Sequence, residues 1–163
     1  MAVSKKSAEN ISKVLSEALP YIQKFSGKTI VIKYGGSAMN ETYLRKSFAR
    51  DIVLMKTVGI NPIIVHGGGP QIKKELDKKN IKSTFLNGVR ITSPEMINSV
   101  QKVLDNQVNK EIVDLINSWG GKAQALSGKR SSFIKAKKIS NKRLGEVGEI
   151  VNIQKKIILD TTR

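Results

Sequence analysis

Ile11, Val14, Leu15, Ala18, Ile22 and Phe25 recur at the three- and four-residue spacing that lines up apolar side chains along one helix face. This stripe predicts an amphipathic helix within residues 1–26. Ser4 or Ser7 can cap its start, Pro20 is expected to kink or divide it, and Gly27 ends it. A helix placed ahead of the main fold has little core of its own to cover. Its stripe points to a partner surface, most simply a second subunit, with docking on its own domain as the alternative.

From Thr29 the pattern changes to short β-branched runs alternating with helical ones. Thr29–Ile32 reads as a buried strand running into Gly35-Gly36. Glu41–Thr57 reads as a helix with Leu44, Phe48, Ile52 and Met55 on one face, closed by Gly59. Pro62–Val65 is a second strand, running into Gly67-Gly68-Gly69, and Pro70 to Lys79 is a further helix. The βαβα order predicts an α/β fold: a mostly parallel open sheet sandwiched by helices. Asn87-Gly88 marks a hairpin or loop. Pro94–Trp119 is a long helix that buries Ile97, Val100, Leu104, Val108, Ile112 and Leu115, with Gly120-Gly121 at its end. Strand-like pieces follow at 123–126, 132–136 and 147–153, and 154–163 reads as the start of another helix.

Composition narrows the class. A chain of 163 residues fits one domain that buries roughly 70% of its unfolded surface. It has no cysteine, which excludes disulfides, thiolate metal sites and cysteine nucleophiles. No apolar run approaches the roughly 20 residues of a membrane span, and the N-terminus lacks a signal-peptide core. The net charge of +16 raises nucleic-acid binding. The basic residues are scattered, however, and mostly lysine, without the interleaved aromatics of that class. A lysine-rich surface accounts for the charge and would also attract anionic substrates.

The chemistry lies in the two glycine-rich turns, Lys33-Tyr34-Gly35-Gly36 and His66-Gly67-Gly68-Gly69. Each follows a strand and precedes a helix, so both open on the carboxyl edge of the sheet, where open α/β folds bind ligands. Glycine lets backbone N–H groups approach an anion, and a helix N-terminus adds a favourable dipole. Tight packing turns are the plainer alternative. Neither turn is a P-loop or a dinucleotide fingerprint: Gly27-Lys28-Thr29 has Ile22 where the first P-loop glycine belongs, and 67–70 lacks G-x-G-x-x-G. Lys33, alone, reads as an edge lysine with its stem over apolar surface. Beside two such turns it is suited to stabilise a transferring phosphoryl group. Arg90 offers a planar fork for a carboxylate but, in isolation, reads as a surface residue. His66, the only histidine, suits holding the backbone of the turn better than acting as a general base. With no cysteine and one histidine, a hydrolytic triad or a histidine-rich metal site is not expected.

Residues 29–36 and 60–72, with 51–56, 87–92 and 147–151, closely resemble the acetylglutamate kinases of the amino acid kinase family, and the resemblance runs almost end to end. It implies phosphoryl transfer from ATP, with Mg, to the side-chain carboxylate of N-acetyl-L-glutamate in arginine biosynthesis, in the cytoplasm. By motif, Lys33 would stabilise the transition state, Gly68 and Gly69 would hold the reacting carboxylate, and Arg90 the α-carboxylate. Ala18–Phe25 is similar to the extension of the hexameric, arginine-inhibited branch, with Tyr21 near the arginine site. Residues 1–26 would then be an oligomerisation helix of a dimer-based hexamer, and 27–163 the substrate-binding lobe.

Two departures accompany the resemblance. Ser127-Gly128-Lys129-Arg130-Ser131 stands where the family usually has Ser-Gly-Lys-Asp-Gly, which leaves the local turn open. The nucleotide-binding lobe is expected to lie beyond Arg163, and the chain alone is not expected to turn over. A non-catalytic acetylglutamate- or anion-binding regulatory module on the same fold is the second reading. Nucleic-acid and membrane partners are not expected.

Overall fold

β-Branched and aromatic residues make Thr29–Tyr34 (β1) and Asn61–His66 (β2) a parallel pair, in register from Thr29 opposite Asn61 to Tyr34 opposite His66. The computed structural model describes residues 4–162. In a parallel pair, residues opposite each other share a face, so Ile32, Tyr34 and Ile64 point one way and Val31, Lys33 and Val65 the other. The first set lies under the helices. On the second face Val31 and Val65 remain 64% and 53% exposed, so the core is built on one side of this pair.

That core is supplied by Thr42–Thr57 (α1), Gly69–Lys78 (α2), Pro94–Gln101 (α3) and Asn109–Ser118 (α4). Tyr34, Ile72, Leu76, Met96, Val103 and Val108 form its larger cluster, and Ala49, Ile52 and Ile116 a second. Phe48, Ile64 and Ile112 pack against both. Leu76 and Val103 are completely buried, each contributing about 1.5–3 kcal/mol relative to exposure. The long helix predicted over 94–119 is helical from Pro94 to Ser118, but α3 and α4 are joined by a π-helical stretch, Lys102–Val108. The apolar period alone does not reveal that wider turn.

The remaining elements are shorter. Phe85–Leu86 (β3) and Val89–Arg90 (β4) form the expected hairpin, its tip at Asn87 and Gly88 with φ of 51° and 79°. Positive φ at both tip positions is what a two-residue hairpin with matching strand twist requires, and Asn-Gly supplies it. Ile134–Lys138 (β5) pairs antiparallel with Gly148–Ile153 (β6), with an irregularity at Lys135/Ala136. Lys155–Asp160 (α5) follows.

Two sequence expectations change. Pro20 does not divide the N-terminal helix, which runs unbroken over Lys5–Phe25 (αN), capped by Ser4 accepting from the Ser7 amide at 3.3 Å. Pro20 removes one N–H, and the carbonyl it would have served, at Ser16, lies on an exposed helix where water can satisfy it. The piece at 123–126 forms no strand. Its backbone is held by side chains instead: Asn117 Oδ1 accepts from the Ala123 amide at 2.7 Å, and Asn109 Nδ2 donates to the Leu126 carbonyl at 3.2 Å. Short 3-10 turns lie at Gly36–Met39 and Lys142–Leu144. No helix among the described residues is long and apolar enough to cross a membrane.

Candidate functional site

The two glycine turns leave β1 and β2 side by side. The Gly67 amide donates to the Tyr34 carbonyl at 3.1 Å, extending the ladder one step beyond the strands and tying one turn to the other. The first turn is fixed from beneath. Tyr34 is buried, stacks on Phe48 with ring centroids 3.9 Å apart, and donates its hydroxyl to the Ala38 carbonyl at 2.9 Å. Burial raises the Tyr34 pKa, partly offset by the charge of Arg45, so the phenol keeps its proton and remains a donor at neutral pH.

The glycines differ in what they make room for. A Cβ at Gly35, Gly36, Gly67 or Gly69 would meet no atom within 4 Å. These positions are not small for the sake of packing; they leave backbone open to the space above the sheet edge. Gly68 is different. It is buried, and a Cβ there would lie 2.7 Å from Leu104 Cδ2 and 3.5 Å from Val108 Cγ2, both on the π-helical stretch. That close approach makes the demand for glycine there steric.

Gly68 is also the N-cap of α2, and as glycine it brings no capping side chain. The Gly68 and Gly69 amides meet no protein acceptor among the described residues, and Pro70 in the first turn has no N–H to offer. An uncapped helix start aims N–H groups and the positive end of its dipole at whatever occupies the edge. α1 has no side-chain cap either.

Lys33 stands on β1 opposite Val65, exposed on the open face and one residue from the strand end. With Gly68 and Gly69 it occupies the carboxyl edge of adjacent strands, as the sequence pattern requires. His66 is half-buried, and its Nδ1 lies 2.9 Å from the Gly67 carbonyl oxygen. That is a backbone-holding contact. Arg90 is half-buried on β4, lies over the Phe85 ring at 4.6 Å and donates to Ser83 Oγ. Desolvation lowers its pKa from the usual guanidinium value. No hydrogen bond or ion pair among the described residues links Arg90 to either turn. Tyr21 is 67% exposed on αN, which buries no residue and places it apart from the turns.

Residues 28–161 match the amino acid kinase family. The chain belongs to that family. Among relatives, this amino acid kinase chain is 54% identical to the acetylglutamate kinase of Marinomonas sp. (strain MWYL1), with 94% of this chain and 55% of that protein aligned. It is 53% identical to the acetylglutamate kinase of Hahella chejuensis, over 93% of this chain and 54% of the other. The chain therefore spans about half the length of the curated relatives it matches. In three dimensions it is similar to smu.665 from Streptococcus mutans UA159, with a TM-score of 0.74, 28% identity, and coverage of 82% of this chain and 54% of that one. An N-acetylglutamate synthase from Neisseria gonorrhoeae shares the fold at a TM-score of 0.68 and 20% identity, over 91% of this chain and 34% of the other.

Two features of this amino acid kinase site were not read from the sequence. Asn109, the first residue of α4, reaches His66 Nε2 at 3.2 Å as well as the Leu126 carbonyl. A polar residue directly after the apolar stripe position Val108 was the available signal. The other is what holds the departing loop. The turn at 127–131 forms, closed by the Ser131 amide donating to the Ser127 carbonyl at 2.9 Å. Arg130 clasps the π-helical stretch, with Nε 3.6 Å from Asp105 and a guanidinium hydrogen bond to Asn106. The arginine thus takes its place by pairing with residues of its own domain. No group of three or more His, Asp or Glu side chains able to hold a metal ion occurs among the described residues.

Proposed function

We propose that this chain carries the acceptor-substrate half of an acetylglutamate kinase, which transfers the γ-phosphoryl group of ATP to the side-chain carboxylate of N-acetyl-L-glutamate. The observation that carries this is the uncapped start of α2, where the Gly68 and Gly69 amides meet no protein acceptor among the described residues, on the same sheet edge as Lys33, in a chain more than half identical to enzymes of that name. The acceptor is ionised at pH 7, so no general base is needed. Its oxygen attacks the γ-phosphorus, the bond to the β-phosphate oxygen breaks, and acyl phosphate and ADP leave. What the protein must supply is alignment and charge neutralisation. The Gly68 and Gly69 amides orient the reacting carboxylate, Lys33 meets the growing negative charge on the phosphoryl oxygens, and Arg90 receives the α-carboxylate once the β3–β4 hairpin closes over the edge.

ATP arrives as a magnesium complex, as phosphoryl chemistry of this kind ordinarily requires. Because the described residues offer no clustered acidic ligands, the metal is assigned to the nucleotide and no step is routed through a metal held by this chain. The bulk of the nucleotide site is assigned outside residues 27–163, and the reaction to the cytoplasm. αN, with Ile11, Leu15 and Leu19 all about half exposed or more, is assigned to contacts between subunits of a hexamer, and Tyr21 to an arginine effector site near it. Removing residues 1–26 should lower the sedimentation coefficient to that of a smaller oligomer; an unchanged value would remove this part of the reading.

Calorimetric titration of the chain with N-acetyl-L-glutamate tests the core of the proposal. Saturable binding that weakens at least tenfold in Arg90→Ala, and is not shared by acetate, supports it. Absence of binding, or equal binding of any carboxylate, would sink it. ADP formation dependent on acetylglutamate by the 163-residue chain alone would overturn the assignment of the nucleotide site elsewhere.

A further inference from the structure

We propose that Asn109 is a positioning residue, which sets the glycine turn for its ligand by selecting the tautomer of His66. The inference rests on the carboxylate site proposed above. It begins at a backbone carbonyl. Leu126 O can only accept, and the Asn109 side chain lies 3.2 Å from it, so the nitrogen of the amide must face that carbonyl. The same nitrogen lies 3.2 Å from His66 Nε2. An NH2 group donates, so Nε2 must accept and carry no proton. The neutral ring then has its proton on Nδ1, which lies 2.9 Å from the Gly67 carbonyl and donates to it. Asn109 Oδ1 is buried and without a hydrogen-bond partner among the described residues. A flipped amide would face Leu126 O with oxygen, so the flip cannot rescue Oδ1 without losing the carbonyl.

The consequence is local and directional. Fixing the Gly67 carbonyl fixes the peptide planes that follow, and with them the direction of the Gly68 and Gly69 amides. The support continues under the turn, where Leu104 and Val108 close on Gly68. Leu104, Val108 and Asn109 sit in and just after the π-helical stretch, and the Asn109 amide itself donates to the Leu104 carbonyl, five residues back. A π turn shifts the helix face by about one residue, and such turns recur at functional sites. Here it brings the packing residues and the polar one to the same turn.

The test uses the whole chain. Imidazole 15N chemical shifts report the tautomer, and Gly68 and Gly69 amide resonances report the turn. In the parent, His66 should be protonated at Nδ1. In Asn109→Ala that preference should relax, both glycine amides should shift, and N-acetyl-L-glutamate affinity should fall about 3- to 10-fold. His66→Asn supplies a donor at the position of Nδ1 without an Nε2, so it should keep much of the affinity. Adding N109A to H66N should then change affinity less than twofold, because the path through the ring is already cut. An Nε2-protonated ring in the parent overturns the proposal. So does an N109A effect of the same size in both backgrounds, which would mark Asn109 as a structural residue acting elsewhere. If the parent binds no acetylglutamate, the functional reading fails separately, and the tautomer with the glycine resonances still decides the relay.

Discussion

Alanine at adjacent glycines should separate packing from binding. A Cβ at Gly68 would lie 2.7 Å from Leu104 Cδ2, inside contact distance, so something must move. The atom in the way is the end of a leucine side chain that is only half-buried. The cost is therefore placed at about 1 kcal/mol, the low end of the 1–3 kcal/mol typical of overpacking. At Gly69 a Cβ meets nothing, and the residue is the first of a helix. Gly69→Ala should fold as well as the parent, or be more stable by a few tenths of a kcal/mol, from reduced freedom of the unfolded chain. Binding should sort the other way. The new methyl at Gly69 stands in the open space that its amide faces, and losing one charge-assisted hydrogen bond costs about 1.5–3 kcal/mol, or about 10- to 150-fold in affinity. Urea unfolding by circular dichroism gives the stabilities, and calorimetry with N-acetyl-L-glutamate the affinities. If Gly69→Ala is destabilised as much as Gly68→Ala, the packing account is wrong. If it binds as the parent does, the anion cradle is falsified.

Other substitutions probe the frame. Leu76→Ala, at a fully buried position, should lower stability by about 2–5 kcal/mol with an unchanged urea m-value. Tyr34→Phe keeps the stack on Phe48 and loses only the bond to the Ala38 carbonyl, at about 1 kcal/mol. The folded Tyr34 pKa is raised, so above the unfolded value of about 10 the unfolded chain gives up a proton that the folded chain keeps. Stability should therefore fall as pH rises above that point, and the fall should be shallower in Tyr34→Phe when midpoints are followed to high pH. Arg130→Ala should cost about 0.5–1 kcal/mol, since the arginine is itself exposed. The loss should shrink in high salt, as thermal melts at two ionic strengths would show.

Element types were legible wherever a single period governed a segment. β1, β2, α1 and α2 fall within one or two residues of their expected bounds because β-branched runs, an apolar helical stripe and glycine punctuation agree there. The segment at 123–126 misled for a physical reason. Its composition suits a strand, but whether it is one depends on a ladder partner elsewhere in the chain. Among the described residues its polar backbone is met by Asn109 and Asn117 side chains instead. The π turn was illegible because Val103, Leu104 and Val108 satisfy an α-helical stripe nearly as well.

The site shows the same division between chemistry and placement. Glycine at 67–69 announces open backbone, yet the pattern cannot tell a glycine required by packing from one required by a ligand. Gly68 is demanded by packing against Leu104, whereas at the neighbouring Gly69 a Cβ meets nothing and the proposed ligand is the reason offered. Arg90 illustrates the complementary limit. Its planar fork suits a carboxylate, but here it meets Ser83 and the Phe85 ring. A guanidinium stacked on an aromatic face is held without being neutralised, and burial lowers its pKa from the usual value. In the proposed reading an anionic ligand supplies the neutralising charge. A guanidinium carries five N–H donors and one is committed to Ser83, so a carboxylate proposed to bind at Arg90 can be received with that hydrogen bond kept.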